Sequence, residues 1–172
     1  MKITSSTEKY RCRLFWVTED EAIDAKTGWT MKRSVVRHVG SAVMLAVDEK
    51  NRVMLVRQYR LPASQELWEL PAGKVDDGET VLQAAKRELI EETGIRAKKW
   101  KKLVDFFPSP GYVQEKMTIY QATDLTQGES QPMEDERIET RWFAKKELRK
   151  LIETNKILDA KTMIGFLYWA RL

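Results

Sequence analysis

Cysteine and histidine are nearly absent from this chain. The single cysteine, Cys12, excludes an intrachain disulfide and any cysteine-built zinc site, and the single histidine, His38, excludes a histidine-rich metal centre. Carboxylates are left as the credible metal ligands. Long apolar runs are also missing: none approaches the roughly 18 residues of a membrane span, and the first ten residues contain no apolar signal core. These absences predict a cytoplasmic protein with no membrane segment. A large excess of charge of one sign is missing too. A formal net charge of +4 is modest and coexists with dense local acid. The basic run at residues 98–102, with Trp100 inside it, is therefore read as a solvated edge between a helix and the next strand, Trp100 packed inward. Nucleic-acid binding is the weaker reading of it.

What is present suits one compact domain with a small appendage, since 42% of 172 residues are hydrophobic. Residues 1–39 read differently from the rest. They predict a strand over 10–17, a turn at 24–28 and a second strand from Trp29 to about Arg37. A lone strand pair is marginal in water, so this region must pack on its own body or on a second subunit. The core begins at 41–47, a nearly continuous apolar run that predicts a strand covered on both faces, with 52–57 as its hairpin partner. Further strands are predicted at 67–70, 102–107, 116–122 and 138–143, with a loop at 129–136 and a helix at 145–154. Asp159 then caps a C-terminal helix carrying Phe166 and Trp169. Strands with a helix between them predict an α/β domain.

The stretch from Gly73 to Ile95 organises the chain. Pro71, Ala72 and Gly73 mark a loop, Thr80 and Gln83 form a capping box, Leu82, Ala85 and Leu89 fall at helical spacing, and Gly94 ends the run. On this helix Glu88, Glu91 and Glu92 span about a 100° arc, with Glu92 beside the buried stripe. Like charges at such spacings destabilise an isolated helix by roughly 0.2–0.5 kcal/mol per pair, and partial burial raises that cost. A divalent cation relieves it, and hard carboxylate oxygens suit Mg²⁺, with Mn²⁺ as a substitute. The plain alternative is a solvated face on which Arg87 and Glu91 make an i, i+4 pair.

Taken together, Gly73, Glu79, Arg87, Glu88, Leu89, Glu91, Glu92, Gly94 and Ile95 resemble without departure the Nudix box, G-x5-E-x7-R-E-U-x-E-E-x-G-U with U aliphatic. The likeness extends over nearly the whole chain, most closely to the ADP-ribose pyrophosphatase branch of the Nudix hydrolases. It runs through Leu70-Pro71-Ala72-Gly73, Gln58-Tyr59-Arg60, Ser109-Pro110-Gly111-Tyr112 and the helix start at 157–162. One departure is Val39, where a proline is common.

The resemblance implies an α/β/α sandwich with a mixed sheet over residues 40–172. It also implies an N-terminal antiparallel arm at 1–39 that exchanges across a homodimer. Metal would be held by the Ala72 carbonyl and by Glu88, Glu91 and Glu92, with Glu115 as an accessory ligand. Glu136 would act as the base, with Glu134 and Glu115 as rivals. Arg87 and Glu79 would orient the box that Gly73 and Gly94 shape, and Trp29, Arg33, Arg60 and Tyr112 would bind substrate. The implied activity is hydrolysis of a nucleoside diphosphate sugar, ADP-ribose to AMP and ribose 5-phosphate. GDP-mannose or another sugar nucleotide is the alternative substrate. A non-catalytic Nudix-like ligand sensor is the alternative class, against which the intact acid set argues.

Overall fold

The structure, a computed structural model, describes residues 1–130 and 137–171. The chain opens with three antiparallel strands, β1 (Lys2–Arg11), β2 (Trp16–Ile23) and β3 (Thr30–Arg37), which form a sheet of their own. The strand expected over 10–17 is instead the reversal between β1 and β2. There Cys12 N donates to Phe15 O at 3.0 Å and Leu14 is exposed, so the imperfect alternation at 10–17 marks a turn. The turn at 24–28 is present, with Gly28 at φ 73° donating to Asp24 O.

The outer strand β3 docks on the chain's body through backbone groups. Val36 N donates to Tyr112 O at 2.8 Å and Gln114 N to Val36 O at 2.9 Å. Arg37 reinforces the contact, donating to Gln114 Oε1 at 2.9 Å and to Thr18 Oγ1 at 3.0 Å and pairing with Asp20. Burial works against the Asp20 charge, but hydrogen bonds from Ser6 and Thr18 and the Arg37 guanidinium hold its carboxyl below the ordinary range.

β4 (Ser41–Ala46) is buried at every position, as its unbroken apolar run requires. Next come β5 (Arg52–Arg60), a single 3-10 turn at Leu61–Ala63, β6 (Gln65–Glu69), β7 (Ala72–Lys74), α1 (Val81–Thr93), β8 (Ile95–Phe106), β9 (Met117–Gln127), β10 (Glu139–Ala144), α2 (Lys145–Glu153) and α3 (Ala160–Ala170). One mixed sheet has the order β7-β4-β9-β8, with β4 and β9 parallel, and another has the order β10-β5-β6.

Three local expectations are corrected here. β4 and β5 are not hairpin partners: β7 and β9 take both edges of β4, β10 and β6 take both edges of β5, and among the described residues the ladder between these two stretches is reduced to the Val47–Val53 bridge just past the end of β4. The Asp48 carboxylate, accepting from Arg52 N at 2.7 Å and Arg52 Nε at 2.8 Å, turns the chain from one sheet into the other. Residues 72–74 form a short strand rather than loop, because β4 offers them an open edge. The basic run at 98–102 lies inside β8, an outer strand whose lysines discourage edge-to-edge pairing. Trp100 does pack inward, its Nε1 donating to Ala97 O at 3.0 Å.

β4 divides the core by its alternation. Val43 and Leu45 join Leu55, Ile119, Phe143, Phe166 and Trp169 on the side of α2 and α3, whereas Ala42, Met44 and Ala46 meet Ala84, Ala85 and Leu89 of α1. On α1, Ala84 rather than Leu82 completes the buried stripe, and Leu82 is half-buried. A fully buried Leu such as Leu89 contributes roughly 1.5–3 kcal/mol. The result is an α/β/α sandwich with α1 on one face. Among the described residues no helix is long and apolar enough to cross a membrane.

Candidate active site

The orientation of α1 is set at its ends. Thr80 Oγ1 accepts from Gln83 N at 3.3 Å while Gln83 Oε1 accepts from Thr80 N at 2.8 Å, so the capping box expected from sequence is closed. At the other end Gly94, at φ 72°, donates to Ile90 O at 2.7 Å. With both termini satisfied and Leu89 turned into the core, Glu88 and Glu92 are brought against β7.

Arg87, midway along α1, is the hub of the contacts around it. Its Nε and Nη2 donate to the two Glu79 oxygens at 2.9 Å each, its Nη1 donates to Glu88 Oε1 at 2.7 Å and Glu91 Oε2 at 3.0 Å, and its Nη2 donates to Lys74 O at 3.0 Å. One guanidinium thus ties the loop before α1, the end of β7 and two acids of the helix together. The bonds to Glu79 above all, with Glu88 and Glu91 behind them and against partial burial, raise the Arg87 pKa. The same bonds hold the Glu79 carboxyl below its ordinary range.

Glu92 is 6% exposed, and its Oε2 accepts from Ala72 N at 3.2 Å. Glu88 lies over the neighbouring residue, Gly73: a Cβ there would stand 1.8 Å from Glu88 Cδ, so only glycine leaves room for the carboxylate. Two acids one helical turn apart therefore rest on two successive residues of β7. Glu115 comes from the loop before β9, and its Oε1 accepts from Ser41 Oγ at 2.5 Å and stands 3.6 Å from His38 Nδ1. Ser41 faces Lys74 across the β4–β7 ladder, which brings Glu115 to the same end of β7.

Arg60 is held by a residue that sequence reasoning passed over. Its Nε and Nη2 donate to the two oxygens of Glu69 at 2.7 and 2.9 Å, and Glu69 is 1% exposed. Burial opposes both charges, yet the pairing keeps the Arg60 pKa above its ordinary value, with the Glu92 and Asp159 charges adding to it. Glu69, held by Arg60 and Lys161, stays below the ordinary carboxylate range. An acid inside the apolar strand 67–70, with Lys161 far downstream, was the available signal.

Arg33 and Tyr112 line one cavity of about 470 Å³ with Met31, Val35 and Phe107. Trp29 does not line it: it sits beside the β2–β3 turn, 57% exposed, its carbonyl accepting from Asp24 N. Glu134 and Glu136 lie outside the described residues.

The oxygens gathered around β7 fit a hard divalent cation in kind. Among the described residues no three acids stand grouped as a closed metal cage, and Arg87 donates to both Glu88 and Glu91. The glycine cradle under Glu88 is the structural mark of the site: a side chain is excluded to leave a carboxylate in place.

The sequence profile of the NUDIX domain matches residues 36–164. An ADP-ribose pyrophosphatase of Bacillus subtilis (strain 168) is 35% identical over 150 residues, covering 86% of this chain and 81% of its own. A methanol dehydrogenase activator of Bacillus methanolicus is 34% identical over 148 residues, covering 85% and 80%. A crystal structure of an ADP compounds hydrolase superposes with a TM-score of 0.84 over 99% of this chain and 93% of that one, at 23% identity, and so supports the fold.

Proposed function

This chain belongs to the NUDIX family, and from that premise we propose that it hydrolyses the diphosphate of a nucleoside diphosphate sugar, ADP-ribose to AMP and ribose 5-phosphate. The observation that carries the proposal is the seating of Glu88 and Glu92 on Gly73 and Ala72, together with an arginine, Arg60, held by the buried Glu69 carboxylate. Glu88, Glu91, Glu92 and the Ala72 carbonyl would hold Mg²⁺, or Mn²⁺ in its place, with Glu115 as accessory ligand. When bound, such an ion neutralises phosphate oxygens and lowers the pKa of a water.

The chain's own groups do the rest. Arg60 binds the diphosphate, Arg33 and the Tyr112 ring receive the nucleoside, and a carboxylate takes the proton of the attacking water. The water oxygen bonds to one phosphorus, the bridging P–O bond breaks, and the two monophosphates leave. Glu136 is assigned as the base, with Glu115 its rival, since Glu115 is anchored through Ser41.

A panel of ADP-ribose, GDP-mannose, ADP-glucose, NADH and capped RNA with Mg²⁺ tests the reading, run also on Glu136→Gln and Glu115→Gln. ADP-ribose should give the highest kcat/KM, and Glu136→Gln should lose most activity. A tenfold higher value for another substrate, or loss only in Glu115→Gln, would reverse the respective assignment.

Residues 1–39 are proposed to form an arm that exchanges across a twofold dimer of hydrolase domains comprising residues 40–172. Support comes from β1, which is exposed along its length and pairs only with β2 among the described residues, and from exposed Ile3, Tyr10, Leu14 and Trp29. Trp29 would then reach the partner's pocket. Sedimentation at micromolar concentration should give a dimer; a fully active monomer would remove the arm from this role.

A further inference from the structure

The turn that starts α3 has no task in the chemistry above, yet it is tied to the strand leading into Ala72 at three points. Leu70 N donates to Thr162 Oγ1 at 2.7 Å, a buried bond between residues 92 apart in sequence. Lys161 Nζ donates to Glu69 Oε2. Gly165 lies so close to Leu70 that a Cβ there would stand 2.5 Å from Leu70 Cδ1, so the helix is pressed against the strand. The turn itself is made rigid by Asp159, whose Oδ2 accepts from Thr162 N at 2.9 Å and whose Oδ1 accepts from Lys161 Nζ at 2.9 Å.

Glu69 passes this constraint on. Its Oε2 is shared between Lys161 and Arg60 Nη2, and its Oε1 takes Arg60 Nε, so the ammonium helps set the plane of the carboxylate that orients the guanidinium. Glu69 is 1% and Lys161 7% exposed, so water is a poor replacement for either. The charges balance: the cations Arg60 and Lys161 face the carboxylates Glu69 and Asp159. Without Lys161 the group would carry one net negative charge beside the place where an anionic diphosphate must bind, and a buried carboxylate would lose a partner.

We infer that Lys161, acting through Glu69, is a positioning residue for Arg60 and sets how strongly the site binds a diphosphate. The inference rests on the diphosphate-hydrolase reading. Because the Arg60 contact exists in the ground state as well as the transition state, its loss raises KM and leaves kcat in place.

The test uses the full chain with Lys161→Met, Arg60→Ala and the double variant. Lys161→Met should raise KM for ADP-ribose about tenfold, the scale of one charge-assisted hydrogen bond, with kcat within about twofold. Calorimetric affinity for ADP without divalent metal should fall by the same factor. If Lys161 acts through Arg60, the double variant should be no worse than Arg60→Ala. Lys161→Gln, which keeps a donor to Glu69 but loses the charge, gives the same readings where the Met variant fails to fold. Additive effects in the double variant, an unchanged KM, or unchanged ADP affinity would overturn the inference. A parent chain that cleaves no sugar nucleotide would instead overturn the functional reading, and the ADP measurement would still decide the role of Lys161.

Discussion

Glu92→Gln will fold like the parent chain and lose nearly all of its turnover. The side chain is 6% exposed and accepts from Ala72 N at 3.2 Å, a bond the amide oxygen of glutamine can also accept. Shape and the backbone contact survive, so the thermal midpoint should move little. The negative charge does not survive, and with it goes the strongest reason for a hard cation to settle over β7. Of the three acids on α1, Glu92 is the most buried and hence the most fixed in position. The loss in kcat should be about 10²–10³-fold or more, the scale seen when one preorganised electrostatic group is removed from an active site. Steady-state turnover at saturating Mg²⁺, with thermal unfolding as the folding control, checks this. Near-normal turnover would take the metal role away from Glu92.

Gly73→Ala should do comparable damage by adding an atom. The new Cβ would stand 1.8 Å from Glu88 Cδ, 2.1 Å from its Oε1 and 2.3 Å from its Oε2. All three are at the end of a flexible side chain, so the backbone pairing of β7 with β4 can persist while the carboxylate swings away. The stability cost should stay near the roughly 1–3 kcal/mol of an overpacked site. The catalytic cost should be far larger, on the order of 10²-fold in kcat, because a displaced carboxylate is nearly as damaging as an absent one if Glu88 holds the metal as proposed. A double-mutant cycle isolates the cause: adding Glu88→Gln to Gly73→Ala should cost little more, since the carboxylate has already left. Additive losses, or a Gly73→Ala enzyme with parental kcat, would mean that Glu88 does not need its seat on Gly73.

The two variants also mark where sequence reasoning was sufficient. That Glu92 borders the buried face of α1 followed from helical periodicity and from Leu89. That Glu88 needs Gly73 did not, because the box pattern contains the glycine without saying what its missing side chain makes room for. The corrected elements divide in the same way. Residues 41–47 read as a buried strand from composition alone, but their assignment to a hairpin with 52–57 failed, because strand partners depend on which edges distant strands leave open.

By itself the sequence determined α1, its capping box at Thr80 and Gln83, its end at Gly94 and the line of acids along it. Each depends on hydrogen bonds and a 3.6-residue period that act within a few turns of chain. Only the tertiary structure decided that Glu88 rests on Gly73, that Ser41 holds Glu115 across 74 residues, and that Lys161 holds Glu69 across 92. It also decided that Arg33 shares a cavity with Tyr112 while Trp29 stands outside it. The physical reason is that a side-chain hydrogen bond or a shared cavity wall depends on how strands order and helices dock, and no local period encodes that order.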